Sequence, residues 1–107
     1  MPIDAAVVLA TAPPGEAPAL ARLLVDERLA ACVQIAGIRS IYRWEGQVED
    51  QPEEVLLIKT RLSFADQVVD RIREVHRYEV PEALVLRVES GLDLYLDWLL
   101  AETRPGR

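Results

Sequence analysis

Chemistry in this chain would have to start from very few side chains. There is one histidine, His76, and one cysteine, Cys32. A nucleophilic thiol or hydroxyl needs a base held beside it, and that base needs a third group to orient it. A single imidazole, a single thiol and serines that stand in no motif do not supply such a set. GxGxxG, P-loop and CxxC patterns do not occur, so the usual phosphate cradles and dithiol chemistry have no sequence basis. The chain reads as a non-enzyme that requires no cofactor.

His76 and Cys32 could instead meet a metal, since imidazole and thiolate together suit a soft or borderline ion such as copper or zinc. Blander uses compete with that one. A histidine at a helix C-terminus caps the helix or hydrogen-bonds a neighbouring subunit, and a buried free thiol packs as a small hydrophobe. Five of the six aromatics are Tyr42, Trp44, Tyr78, Tyr95 and Trp98. They read as interface packing, or as the walls of an inter-subunit pocket with Lys59, Arg43 or Glu79 as polar handles.

The elements that must position these residues follow from periodicity. Residues 3–11 form a nearly continuous apolar run, expected of a central strand. Pro13, Pro14 and Gly15 break it. A helix is predicted over 16–30, where Ala17, Leu20, Ala21 and Leu24 make a core stripe and Pro18 lies in the first turn. Residues 32–61 then read as one long β-hairpin. Its first arm runs to Gly46, its tip over 45–54 carries five carboxylates, and its second arm covers 55–61. The tip lacks the ligand alternation and central glycine of a calcium loop, so it reads as a solvated turn.

The first arm contains a change of parity. Val33 and Ile35 are odd, whereas Ile38, Tyr42 and Trp44 are even, which predicts a bulge or kink at Gly37. The arm is also too long for its domain. Residues 31–46 at ~3.3 Å each would span about 50 Å, against a diameter of roughly 35 Å for a domain of this size. A projecting strand bearing Ile41, Tyr42 and Trp44 needs a cover, most simply another copy of the chain.

A second helix is predicted from Ser63, with Asp66 as reciprocal cap and a stripe of Ala65, Val68, Val69, Ile72, Val75 and His76. The Val80-Pro81 pair forces extended backbone. A strand over 84–88 and a helix over 92–102 complete the order β-α-β-β-α-β plus one helix, and the tail from Thr103 reads as frayed. A split βαβ repeat of this kind predicts a single α+β, ferredoxin-like domain spanning residues 1–107, with two helices on one face of an antiparallel sheet. The last helix is apolar nearly all round, so one face packs on the domain and another needs a partner.

Composition sets the outer bounds. At 107 residues and net charge −6, the chain can bury a core of its own, and its acidity repels nucleic acid and anionic membrane surfaces. The lone cysteine and the absence of a basic leader or spanning segment at the N-terminus fit a cytoplasmic setting.

Several segments together resemble one known family. ERLAACVQI (27–35), SIYRWEGQVED (40–50), VLLIKT (55–60), HRYEVPE (76–82) and YLDWL (95–99) are similar, in order, to the divalent-cation tolerance proteins, CutA. The resemblance implies a PII-like homotrimer that takes part in tolerance of copper and other divalent cations. It also implies that His76 and Cys32 match positions connected with copper binding. Two departures stand out. Ala10 occupies a first-strand position where some members carry cysteine, which weakens a thiol-rich site. Arg77 replaces the usual proline after the histidine, which implies a looser backbone there.

Overall fold

The structure, a computed structural model, describes residues 3–104. Strand β1 (Ala6–Ala12) leads to helix α1 (Ala17–Asp26), and strands β2 (Cys32–Trp44) and β3 (Gln47–Thr60) follow. A single 3-10 turn (Leu62–Phe64) enters helix α2 (Ala65–Val75), and strand β4 (Ala83–Arg87) and helix α3 (Asp93–Glu102) finish the chain. The sheet order is β2-β3-β1-β4 with every neighbouring pair antiparallel. This is the ferredoxin-like α+β arrangement with an added C-terminal helix.

The core lies between one sheet face and the pair α1, α2. Val8, Ala10 and Ala12 of β1 and Leu56 and Ile58 of β3 point into it, because alternate residues of a strand share a face. Leu20, Ala21 and Leu24 of α1 and Val68 and Ile72 of α2 meet them. Ala10, Ala12, Ala17 and Ala65 are all buried there, and their small side chains let the helices lie close to the sheet. The opposite face is only partly covered. Leu84 and Leu86, in register with Leu9 and Val7, lie on it and are exposed.

The hairpin departs from its sequence reading in two ways. Trp44 registers with Gln47, so the turn is only Glu45-Gly46, not the whole acidic segment 45–54. Both turn residues have positive φ (50° and 81°), the backbone of a type I′ turn whose twist matches the strands it joins. The register then runs unbroken from Cys32↔Lys59 to Trp44↔Gln47, and the predicted bulge at Gly37 is absent. The parity change is nonetheless real. Val33 and Ile35 share the helix-covered face with Ile58 and Leu56, but β1 stops pairing at Ala12↔Glu54. Past that point the other face is the one that meets the 76–82 segment, so the apolar set moves to even positions without any backbone fault.

Beyond Gly37↔Glu54 seven further register pairs, Ile38↔Glu53 to Trp44↔Gln47, form a two-stranded arm. At ~3.3 Å per residue it extends about 23 Å past the body, in keeping with extents of 45 × 27 × 21 Å. Pro52 fits within β3 because that stretch pairs only with β2, so its missing N–H leaves no ladder bond unmade.

The helix ends were less legible. Helix α1 stops at Asp26 and not at Ala30. Arg28 takes φ 61°, and the N–H groups of Leu29 and Arg28 bond back to the Leu24 and Val25 carbonyls at 3.0 Å each. That is a Schellman closure with arginine in the glycine position. The N-terminus of α1 is capped from far away, by Glu54, whose Oε1 accepts from Gly15 N and Ala17 N at 3.0 Å each. For α2, the predicted Ser63–Asp66 box does not form. Helix α2 begins at Ala65 with no side-chain cap, and Ser63 bonds through both N and Oγ to the Asp4 carboxylate. At the other end of the chain, Thr103 is fully buried rather than frayed. Arg61 donates from Nε to the Thr103 carbonyl (2.8 Å) and from Nη2 to the Leu100 carbonyl (2.6 Å), closing the C-terminus of α3. Residues 105–107 of the predicted tail lie outside the described residues.

Candidate functional site

A cleft of about 720 Å³ opens where the arm leaves the body. One wall is the even face of β2, carrying Ser40, Tyr42 and Trp44, with Glu53 across from Ile38 on β3. The other wall is the connection from α2 to β4, residues 77–82, and Thr11 closes the floor. The type I′ turn and the unbroken register place Tyr42 and Trp44 on this side, and Val80-Pro81 keeps the connection extended.

His76 fixes that connection. It ends α2 with ψ 144°, and its N–H still reaches the Ile72 carbonyl at 2.9 Å. Its ring is held at both nitrogens. Nδ1 accepts from Tyr78 N (3.1 Å), which leaves Nε2 as the protonated nitrogen that donates to the Thr11 carbonyl at 2.6 Å. The Tyr78 ring packs on the imidazole with centroids 4.7 Å apart, and its hydroxyl donates to Glu53 Oε2 at 2.8 Å. Burial, and then the hydrogen bond to the Glu53 carboxylate, push the Tyr78 phenol well above the ordinary tyrosine value. Thr11, His76, Tyr78 and Glu53 therefore form one staple from the sheet to the arm. Arg77, which stands where the resemblance expects proline, donates from Nη1 to Glu16 Oε2 at 2.9 Å.

Cys32 lies elsewhere. It registers with Lys59, and Lys59 with Val7, whereas the His76 ring bonds at Thr11. Four residues of strand β1 separate those points, about 13 Å. The two sequence-predicted metal ligands are therefore not brought together within the subunit. Among the described residues no group of three or more His, Cys, Asp or Glu is placed to hold a metal ion. Cys32 belongs to a second cluster, with Lys59 donating to Gln34 Oε1 (2.5 Å) and the Tyr95 ring tilted 40° to that of Trp98 with centroids 5.5 Å apart. Burial and the neighbouring thiol raise the Tyr95 phenol.

The sequence-predicted pocket residues thus divide. Tyr42, Trp44, Tyr78 and Glu79 line the cleft. Lys59, Tyr95 and Trp98 join Cys32 at the far end of the sheet, and Arg43 lies beside Val48 on the odd face of the arm. Of the three expected polar handles only Glu79 reaches the cleft. Glu53 and Glu82 supply the rest, and periodicity gave no sign of either: Glu53 reaches the cleft through the register of the hairpin, and Glu82 through the path of residues 77–82.

Comparison with known proteins gives the lineage. The sequence model of the family described as CutA1 divalent ion tolerance protein matches residues 6–102. The divalent-cation tolerance protein CutA of Thermus thermophilus is 46% identical over 99 residues, covering 91% of this chain and 96% of that protein. The chloroplastic protein CutA of Arabidopsis thaliana is 44% identical over 104 residues, and the chain spans only 57% of its length. Among solved structures, the PII-like protein CutA from Nostoc sp. PCC 7120 superposes with a TM-score of 0.88 at 36% identity, covering 92% of this chain and 97% of that one.

Proposed function

We propose that this chain, which belongs to the CutA1 divalent ion tolerance family, acts in the cytoplasm as a non-catalytic homotrimer that supports tolerance of divalent cations, copper among them, through weak metal binding. One observation carries the assembly: the two-stranded arm projects from the body with Ile41 65% and Trp44 42% exposed. A monomer would leave that apolar surface, and the uncovered Leu84 and Leu86, in water. Weak binding is what the His76 geometry supports. A metal would have to displace the Thr11 carbonyl or the Tyr78 N–H from the ring, and each exchange gives up a hydrogen bond worth roughly 1 kcal/mol net. The same engagement of both ring nitrogens leaves the imidazole no free lone pair for general-base work, which supports the non-catalytic reading.

The experiment is calorimetric titration of wild type and His76→Ala with Cu²⁺ and Zn²⁺, with sedimentation velocity at micromolar concentration. A trimer with weak, His76-dependent heat is expected. Identical isotherms remove His76 from the site, and a stable folded monomer removes the assembly. A second reading, a PII-like sensor or adaptor that takes a small ligand, is favoured by the cleft itself, whose 720 Å³ falls in the range of ligand pockets, ~300–1,000 Å³.

A further inference from the structure

A second cavity, of about 410 Å³, lies away from the arm, between the first two turns of α1 and the end of α2. Pro13, Ala19, Leu20, Leu23 and Val75 make its apolar walls, and Glu16 and Arg77 add its charges. Strand β1 enters it through Ala12, which points to the helix-covered face of the sheet. The surfaces that the homotrimer has to cover are the arm and the opposite sheet face with Leu84 and Leu86. No wall residue of this cavity belongs to either. Assembly through those surfaces therefore leaves it open to water. Arg77, which also borders the cleft at the arm, turns its guanidinium to this side.

One cation and one carboxylate meet at these apolar walls. Arg77 Nη1 donates to Glu16 Oε2 at 2.9 Å, and among the described residues neither group has another side-chain partner. The remaining guanidinium N–H groups and Glu16 Oε1 are left for a ligand. Their side chains are 76% and 36% exposed, a setting in which an ion pair contributes little to stability by itself. A ligand with only a carboxylate would meet Arg77 but lie against Glu16, and one with only an ammonium reverses the conflict. A zwitterion satisfies both, its ammonium on the carboxylate and its carboxylate on the planar fork of the guanidinium. Val75 is still 41% exposed at this surface, so an aliphatic group laid on the walls leaves water together with it. His76 also borders the cavity, but its two ring nitrogens are already engaged, and it adds contact without a free donor or acceptor. The volume stands near the lower end of the ~300–1,000 Å³ range of ligand pockets, which suits a small molecule.

From this juxtaposition we propose that the cavity between α1 and the end of α2 binds an aliphatic α-amino acid, with its ammonium on Glu16, its carboxylate on Arg77 and its side chain against Ala19, Leu23 and Val75. The site goes beyond the metal-tolerance reading and depends neither on a ligand at His76 nor on the cleft at the arm.

The test uses the full chain in its native assembly. L-Leucine is titrated by calorimetry and by amide chemical shifts of isotope-labelled protein. Isocaproate, the same skeleton without the ammonium, and isoamylamine, without the carboxylate, are the half-ligands, and free glycine removes the side chain. Saturable binding of leucine is expected, with the shifts centred on Gly15, Ala19 and Arg77. Each half-ligand is expected to bind wild type about tenfold more weakly, the scale of one charge-assisted hydrogen bond, and Arg77→Gln and Glu16→Gln to weaken leucine by a similar factor. Arg73→Gln makes the same charge change in an exposed pair with Asp70, outside the cavity, and is expected to leave the affinity unchanged. Equal binding by isocaproate, isoamylamine or glycine overturns the aliphatic zwitterion, a result read on wild type whether or not a variant assembles. Shifts centred elsewhere, unchanged affinity in both cavity variants, or an equal loss in Arg73→Gln overturns the location. Failure of leucine to saturate wild type overturns the site altogether, and leaves the metal and cleft readings to their own titrations.

Discussion

Glu54 offers the sharpest check on how this chain is held together. Its carboxylate sits on β3, yet it accepts the N–H groups of Gly15 and Ala17, 39 and 37 residues away, at the start of α1. Helix α1 has no local cap, since Glu16 makes no side-chain hydrogen bond to its own N-terminus. Glu54→Ala therefore strands one exposed and one partly buried donor. The exposed Gly15 N–H finds water at little cost, whereas the Ala17 N–H loses a charge-assisted acceptor. Together with the lost charge at the positive end of the helix, the cost comes to about 2 kcal/mol. For a domain of this size that corresponds to roughly 10 °C in Tm. Glu54→Gln keeps an acceptor oxygen but not the charge, and is expected to lose about 0.5–1 kcal/mol. Glu49→Ala, on the same strand with the same charge change, is expected to stay within about 0.5 kcal/mol of wild type. Urea and thermal unfolding at one fixed protein concentration measure all three, because assembly makes Tm concentration-dependent. If Glu54→Ala unfolds within about 0.5 kcal/mol of wild type, water caps α1 and the long-range cap contributes nothing.

Three further outcomes are expected. Arg28→Gly should raise stability by about 0.5–1 kcal/mol, since it relieves a non-glycine residue at positive φ and gives up only an exposed 3.7 Å pair with Glu102; denaturant midpoints decide, and a loss contradicts the Schellman assignment. Gly37→Ala should be neutral or stabilising by about 0.5 kcal/mol, because a methyl group at that position would meet nothing within 4 Å and its φ is not left-handed; a loss above about 1 kcal/mol would restore the bulge. The hydrogen bond from Arg71 holds the Glu27 carboxyl below its usual value near 4.5. A depressed carboxyl contributes stability above the unfolded value and loses it as pH falls. Arg71→Met should therefore flatten the fall in stability as pH drops from about 4.5, and unfolding curves across the acidic range that run parallel to wild type would exclude the pair as a contributor.

Element types and order were legible in the sequence because burial imposes short periods. Ala17, Leu20, Ala21 and Leu24 could only be a helix face, and a continuous apolar run such as 55–58 could only be a strand covered on both sides. The excess length of the hairpin was legible too, as simple geometry. Tertiary structure alone decided where the hairpin turns. The acidic tip looked like a loop because carboxylates dominate it, yet the register carries Glu53 onto the cleft face and Glu54 onto the helix face. A side chain's partner across 37 residues follows from register, and register is the sum of a turn and every pairing after it. That is why Glu53 on the cleft face and the remote cap Glu54 stayed hidden. It is also why His76 and Cys32, paired by scarcity in the sequence, lie at opposite ends of one strand's worth of sheet.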